Sequence, residues 1–390
     1  MEEAAESSGT DGPALASAPM RELVAVALTG QAFVDTLVRV WERGDAVLPI
    51  DPRLPAPAVE TSLEALSPAR FVDASGQESS LMGGRPVEDG DALVVPTSGS
   101  TGVPKGVVHT HDSLAASARA TSAGLEVDPA TDRWLCCLPL SHIAGLAVVV
   151  RAMTFDMPLE VHERFDPDAV VDAARRGATL TTVVPTTLAR FDPAIFRRII
   201  VGGSAPPAFV PPNCHVSYGM TETGSAVVLD GWALPGVGLR VVDGEIQIRG
   251  DMLLRSYRDG TDPRTSDGWL PTDDAGELSP EGKLSVHGRR GDLIITGGEN
   301  VWPAPVEKVL HELPAVAEVA IVGRPDDEWG QVVTAVAVAA DRSAPPTLDL
   351  LREAVKAELP AYCAPRRLEL VESLPRTLLG KVQRRALGSG

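Results

Sequence analysis

The segment Pro96-Thr97-Ser98-Gly99-Ser100-Thr101-Gly102-Val103-Pro104-Lys105-Gly106 gathers four hydroxyls, three glycines and a lysine within one short stretch. Glycines let a tight loop expose its backbone amides. Amides, hydroxyls and one ammonium together suit a polyphosphate. A Ser/Gly-rich surface loop is the plainer reading of such a segment, but the lysine and the density of hydroxyls weigh against it. A Walker loop is excluded, because Lys105 is followed by glycine and its spacing to the first glycine is wrong. The four cysteines, Cys136, Cys137, Cys214 and Cys363, form no C-x-x-C pair, so neither zinc nor a redox motif is indicated. Cys136 and Cys137 lie in an apolar run and read as small hydrophobes in a reducing cytoplasm.

The elements that must position this loop follow from the hydrophobic pattern. From Arg21 to about Ser80 it reads helix, strand (Ala46–Ile50), helix. Leu93–Val95, Trp134–Leu138, Thr181–Val184 and Arg198–Val201 are continuous apolar or β-branched runs, as strands buried on both faces should be. Between them Asp166-Pro167 marks a helix start, with Val170, Val171 and Ala174 at helical spacing. This alternation predicts a mostly parallel α/β sheet. From Gly236 to His287 short alternating strands and Gly/Asp turns predict a β-rich subdomain. A boundary falls near Gly288-Arg289-Arg290-Gly291-Asp292. Beyond it a helix at Ala304–Leu313, strands at Val316–Val322 and Val332–Val338, a helix at Leu348–Leu359 and a strand at Arg367–Val371 make a small α+β unit.

The chain has 390 residues, enough for two or three domains. Its 44% hydrophobic and 23% charged residues are globular values. With 35 basic against 53 acidic residues the formal charge is −18, so bulk charge will not hold nucleic acid or an anionic membrane. Anionic ligands need cations supplied locally. The longest apolar run near the middle, Ile143–Val150, falls far short of the ~20 residues of a membrane-spanning helix. Residues 1–20 read as a loose tail, with no signal-peptide features.

The Thr97–Lys105 segment resembles the phosphate-binding signature of the adenylate-forming superfamily, which includes acyl-CoA synthetases, adenylation domains and luciferases. More motifs follow in that family's order. Tyr218-Gly219-Met220-Thr221-Glu222-Thr223-Gly224 resembles its adenine, α-phosphate and Mg²⁺ motif, and Gly268-Trp269-Leu270-Pro271-Thr272-Asp273-Asp274 its ribose motif. Gly288–Asp292 resembles its hinge, Gly297-Gly298-Glu299-Asn300-Val301 the loop after it, and Pro375–Lys381 the tail with the catalytic lysine. The resemblance implies a large adenylation domain of parallel sheets over 21–288 and a small mobile domain over 289–390, hinged near Gly291. ATP, Mg²⁺ and coenzyme A are the implied cofactors. The implied ATP site comprises Thr97, Ser98, Gly99, Ser100, Thr101, Gly102, Lys105, Gly203, Ser204, Ala205, Tyr218, Gly219, Met220, Thr221, Glu222, Asp274, Arg289 and Lys381. Glu222 is a hard oxygen ligand for Mg²⁺. Asp274 can accept from the ribose hydroxyls, and Lys381 can bridge the attacking carboxylate and the phosphate. Gly297 and Gly298 would line the pantetheine channel. The family usually has Thr-Gly-Asp where this chain has Thr272-Asp273-Asp274, which bears on turn geometry more than on chemistry.

Leu138–Leu146 resembles the family's substrate-pocket motif and implies His142 beside the acyl carboxylate; a core histidine is the competing reading. Amino-acid-activating members place an aspartate near here, and Ser141-His142 disfavours that substrate. No carrier-protein segment follows Lys381, which disfavours a peptide-synthetase module. The short N-terminal part and His142-Ile143-Ala144-Gly145 followed by Arg151 resemble the o-succinylbenzoate–CoA ligases of menaquinone biosynthesis. Their substrate is a dicarboxylate, for which Arg151 offers a second cation. Nine residues along a helix is half a turn out of phase with His142, however, which puts structural pairing of Arg151 ahead of direct contact. Another aryl- or acyl-CoA ligase and a non-catalytic nucleotide-binding relative stay as alternatives. The partners expected are small molecules, with neither nucleic acid nor membrane; a homodimer is compatible with the chain.

Overall fold

The computed structural model describes residues 20–98, 104–203, 209–376 and 382–388. Among them the strands form four sheets. The first runs in the order Ser256–Tyr257, Pro104–Thr110, Asp91–Ser98, Ala46–Pro49, Leu23–Val26, Arg70–Val72, Glu78–Ser80. Its centre is parallel and its margins antiparallel. The second runs Trp232–Ala233, Ser225–Leu229, Cys214–Met220, Arg198–Val201, Leu180–Val183, Trp134–Cys136, Leu159–Val161, again parallel at the centre. The central strands are apolar or β-branched and buried along their whole length, as parallel strands covered on both faces require.

The helix Ile143–Thr154 shows what separates the layers. Every residue from Gly145 to Ala152 is buried, so the helix is covered all round rather than on one stripe, with Arg151 the one charged residue inside it. The helix Pro167–Arg175 begins as its sequence indicates: the Asp166 side chain accepts from the Ala169 amide at 3.0 Å, and proline stands in the first turn. The helix His111–Gly124 opens on a reciprocal Thr110/Ser113 capping box, each hydroxyl accepting from the other's amide at 3.1 Å.

A third, antiparallel sheet contains Gly238–Val242, Glu245–Arg249, Leu270–Leu278 and Leu284–Arg289. The fourth lies in the C-terminal part and joins Glu299–Val301, Ile294–Thr296, Gly330–Ala339 and Val316–Asp326, with Arg367–Leu370 parallel to Gly330–Ala339. One face packs a core of residues from Ile294 to Ala364 under the helices Pro303–His311 and Leu348–Glu358, and a smaller cluster of Ala320, Val322, Val336 and Leu374 covers the other.

The sheets are mixed rather than mostly parallel. In the N-terminal part Leu23–Val26, Arg70–Val72 and Glu78–Ser80 are strands where the sequence indicated helix and connections. Four consecutive apolar residues carry no period, so Leu23–Val26 cannot be told from a buried helical turn by pattern. Glu-Ser-Ser at 78–80 is fully exposed and is held only by its antiparallel partner. All four cysteines are free thiols, and Cys136 and Cys137 are packed in the core. No helix among the described residues is long and apolar enough to cross a membrane.

Candidate nucleotide and acyl site

Asp91–Ser98 and Pro104–Thr110 form an antiparallel hairpin whose tip is the Ser/Gly segment. Thr97 and Lys105 face each other in register, and the Thr97 hydroxyl donates to the Lys105 carbonyl at 3.3 Å. Lys105 is therefore fixed by its backbone at the mouth of the loop while its side chain is exposed. Ser98 ends the strand; Gly99, Ser100, Thr101 and Gly102 lie outside the described residues.

A second strand end meets this hairpin. Cys214–Met220 leads straight into the single 3-10 turn Thr221–Thr223. Three segments hold that turn. His109, on the strand that follows the loop, is 0% exposed; its Nε2 is 2.7 Å from the Thr221 carbonyl, to which it donates, and its Nδ1 is 3.0 Å from the Ser113 hydroxyl. Burial lowers its pKa to about 4, so it is neutral. The Leu254 amide donates to the Glu222 carbonyl at 2.8 Å, and the Tyr257 hydroxyl donates to Glu222 Oε1 at 3.0 Å. Gly219, just before the turn, has no room for a side chain: a Cβ there would stand 2.1 Å from the Ser225 carbonyl.

The third component is a carboxylate in a buried setting. Asp274 is 8% exposed on Leu270–Leu278, opposite Arg289 in the ladder. Arg289 Nε lies 3.0 Å from Asp274 Oδ1, and Arg289 also donates to the Thr272 carbonyl at 2.8 Å. The Tyr218 hydroxyl donates to Asp274 Oδ2 at 2.9 Å. Burial, then the Asp274 charge, pushes the Tyr218 phenol well above its ordinary value and keeps it a donor. Each carboxylate oxygen has two acceptor positions, so a carboxylate held this way can accept from several donors at once. Asp273 adopts φ +59°, the left-handed region where glycine is favoured. That is the position at which the chain departs from Thr-Gly-Asp; aspartate is one of the few side chains that tolerates it.

The acyl side is built differently. His142 caps the helix Ile143–Thr154 without a side-chain capping bond. Burial works to raise the nearby Asp51 carboxyl, but hydrogen bonds from Arg53 and the charges of Arg53 and His142 hold it below the ordinary carboxylate range. Arg151 lies inside, 1% exposed. It donates to Ser225 Oγ at 2.5 Å and Thr182 Oγ1 at 3.5 Å, with the Trp134 ring 5.6 Å from its guanidinium carbon. Its partners are hydroxyls, not carboxylates. Ser225 directly follows the Thr221–Gly224 motif, so the buried cation reaches the edge of the nucleotide turn through one side chain.

Contacts join Thr97, Lys105, Tyr257 and Glu222 on one side and Tyr218, Asp274 and Arg289 on the other, and the backbone from Tyr218 through Gly219, Met220 and Thr221 to Glu222 links the two groups. Gly203 follows Arg198–Val201 at φ +85°; Ser204 and Ala205 lie outside the described residues. Gly297 and Gly298 make the two-residue turn between Ile294–Thr296 and Glu299–Val301, both at positive φ as such a hairpin requires. Gly291 stands exposed in the 3-10 turn Arg290–Asp292 with no heavy atom near its would-be Cβ, so nothing in this conformation demands glycine. Lys381 lies outside the described residues. His109, Tyr257, Asp51 and Ser225 went unmarked in the sequence. The only signal for Ser225 was its position after a matched motif.

Among the described residues no cluster of three or more metal-ligating side chains occurs. A lone Glu222 carboxylate, linked to Lys105 only through the Tyr257 side chain, fits Mg²⁺, which takes few protein ligands and keeps waters and substrate phosphates.

Comparison with known proteins agrees with this geometry. Residues 45–261 match the family model of the AMP-binding enzymes, and 305–381 match that of the AMP-binding enzyme C-terminal domain. A probable 2-succinylbenzoate–CoA ligase of Mycobacterium tuberculosis is 39% identical over 361 residues, covering 85% of this chain and 93% of that protein. The 2-succinylbenzoate–CoA ligase of Listeria monocytogenes is 34% identical, covering 76% and 69%. The solved structure of the o-succinylbenzoate CoA synthetase of Bacillus subtilis, in complex with its acyl-adenylate intermediate, superposes with a TM-score of 0.83 at 28% identity, over 94% of this chain and 88% of that one. With a family model matching more than half of it and a relative 39% identical over 85% of its length, the chain belongs to the AMP-binding enzyme family.

Proposed function

We propose that this protein is an AMP-forming acid–CoA ligase that converts 2-succinylbenzoate, ATP and coenzyme A to 2-succinylbenzoyl-CoA, AMP and pyrophosphate through an acyl-adenylate. The observation that carries the reading is the convergence of Lys105, the Thr221–Glu222 turn and the Tyr218–Asp274–Arg289 triad in one network. The chemistry follows from these groups. Asp274, oriented by Tyr218 and Arg289, accepts from the ribose hydroxyls. The loop amides, the hydroxyls of residues 97–101 and Lys105 receive the β- and γ-phosphates. Thr221 donates to the α-phosphate. Mg²⁺ held at Glu222 would neutralise phosphate charge as pyrophosphate leaves. His142 orients the acid's carboxylate for attack, and Lys381 stabilises the charge that develops between acid and phosphate.

Thioester formation follows in a second orientation of residues 289–390, pivoting at Gly291, with the pantetheine arm passing Gly297 and Gly298. Side chains at a two-glycine turn would narrow that passage. The succinyl carboxylate is the group that separates this acid from benzoate, and the buried Arg151 supplies the field that rewards it, through Ser225.

The experiment is ATP- and CoA-dependent turnover over a panel of aryl and alkyl acids. 2-Succinylbenzoate should exceed benzoate in kcat/KM by at least ~100-fold, the size expected when a buried polar contact is left unmade. Equal handling of the two would refute the substrate and leave another acid–CoA ligase. Absence of acid-dependent pyrophosphate release with every acid would refute the ligase reading.

A further inference from the structure

Tyr257 sits on the two-residue strand Ser256–Tyr257, paired antiparallel to the outer edge of Pro104–Thr110 with Tyr257 opposite Val107. It touches two groups of the phosphate-handling site with two different parts of its side chain. The hydroxyl donates to Glu222 Oε1 at 3.0 Å, and the Lys105 ammonium stands 5.1 Å from the ring centroid. These groups come from separate motifs, and no direct bond joins Lys105 to Glu222 among the described residues.

The backbone around Tyr257 is pinned on both sides. The Tyr257 amide donates to the Thr261 carbonyl at 2.8 Å, and the Gly260 amide returns to the Tyr257 carbonyl at 2.9 Å. The Arg258 amide donates to the Gly106 carbonyl at 2.7 Å, next to Lys105. The Arg258 guanidinium donates to the carbonyls of Leu66, Arg85 and Pro86, tying the segment to the first sheet's connections. Such anchoring fixes a ring in place at little conformational cost, because tyrosine has only two side-chain torsions. A cavity of about 270 Å³ opens beside it, and Lys105, Tyr257 and Asp259 share its wall.

Resting on the ligase reading, we propose that Tyr257 is a positioning residue with two separable functions: its hydroxyl sets the Glu222 carboxylate for the divalent cation, and its ring sets Lys105 for the β,γ-phosphates. A carboxylate with one oxygen already engaged presents the other in a defined direction. A lysine resting on an aromatic face gives up part of its rotamer freedom before ligand arrives. The plainer role, a half-buried strand residue packed against Val107 and Leu254, involves neither the hydroxyl nor the ammonium.

Two variants separate the functions. Tyr257→Phe keeps the ring and removes the hydroxyl; Tyr257→Leu removes both. Melting temperatures establish that each is folded. In Tyr257→Phe the Mg²⁺ concentration for half-maximal adenylation should rise about tenfold, the usual loss when a group orienting a metal ligand is removed. Its ATP affinity by calorimetry in EDTA should match wild type. Tyr257→Leu should in addition weaken ATP binding in EDTA by about 2–5-fold, the worth of a partly exposed cation–π contact, and leave AMP affinity unchanged because AMP lacks the β,γ-phosphates. An unchanged Mg²⁺ midpoint in Tyr257→Phe, or equal weakening of ATP and AMP in Tyr257→Leu, would overturn the proposal while nucleotide binding by the wild-type protein still stands. Failure of the wild-type protein to bind either nucleotide would instead overturn the ligase reading on which it rests.

Discussion

Replacing Arg151 by methionine separates a substrate-recognition role from a structural one, because the two predict opposite pairs of results. The guanidinium is 1% exposed and bonded to hydroxyls alone among the described residues. Burial lowers its pKa from 12.5 to about 10, which corresponds to about 3 kcal/mol spent on keeping the charge inside. The 2.5 Å bond to Ser225 returns about 1.5–3 kcal/mol, and the 3.5 Å contact with Thr182 adds little. Methionine keeps most of the aliphatic stem. The net change in stability should therefore stay within about 1 kcal/mol, a shift of roughly 1–2 °C in Tm.

The functional effect is larger. Arg151 donates to Ser225 Oγ, which leaves the serine proton free to be donated onward. A substrate carboxylate accepting that proton would stand ~5 Å from the guanidinium. At an effective dielectric of ~20 this attraction is about 3 kcal/mol, or ~100-fold in kcat/KM. Steady-state kinetics with 2-succinylbenzoate and benzoate on wild type, Arg151→Met and Ser225→Ala measure it. The expected result is a ~100-fold loss for the dicarboxylate in Arg151→Met, a smaller loss in Ser225→Ala, and little change for benzoate. A variant that loses several kcal/mol of stability and keeps its substrate preference would refute the argument, since the cation would then be a strut of the core.

Lys381→Ala should abolish acyl-adenylate formation and spare thioester formation from supplied acyl-adenylate, whereas Gly291→Pro should trap one orientation and spare only one half-reaction; rapid-quench assays of each half-reaction check both, and uniform losses would count against two orientations. Asp273→Gly should raise stability by about 0.5–1 kcal/mol in urea unfolding, with kinetics unchanged, because φ +59° strains a side chain that glycine lacks. His109 has a folded pKa of about 4 against 6.5 in the unfolded chain, so its contribution to stability is complete above pH ~6.5 and is lost as pH falls toward 4. Over that window His109→Gln should lose about 3 kcal/mol less than wild type in urea unfolding, and parallel curves would show that the ring titrates normally.

The legible parts of this molecule were those whose constraint is local. Asp166-Pro167 starts a helix through a bond spanning three residues, and Arg198–Val201 forms a strand with the bounds its apolar run indicates. The hairpin Asp91–Ser98 and Pro104–Thr110 closes around the Ser/Gly segment that the sequence marked, while Gly99 to Val103 lie outside the described residues. Tyr257 bonds a residue 35 positions away and His109 one 112 positions away, and no periodicity records such a pairing. Asp273 shows the intermediate case. The departure from glycine was plain in the sequence, but its meaning came only with the backbone angle, which shows that the left-handed turn is kept and aspartate endures it.

The distribution of charge in the fold bears on where anions bind. Most arginines of this acidic chain are committed: Arg53 to Asp51, Arg70 to Asp45, Arg197 to Asp132, Arg255 to Asp91. Arg289 is paired as well, with Asp274, so it orients that carboxylate more than it attracts a ligand. Among the described residues Lys105 and Arg151 have no carboxylate within ion-pair distance; one rests beside a phenol ring and the other on hydroxyls. A cation compensated by a carboxylate presents little field beyond the pair, whereas one compensated by neutral dipoles keeps most of its charge available. In a protein of net charge −18, cations left in this state answer a specific need. On the proposed reading Lys105 would serve the polyphosphate, and Arg151, through Ser225, a second substrate carboxylate. On this reasoning a carboxylate introduced beside either cation should weaken binding of the corresponding anion without lowering stability, because it would complete an ion pair that the fold leaves open.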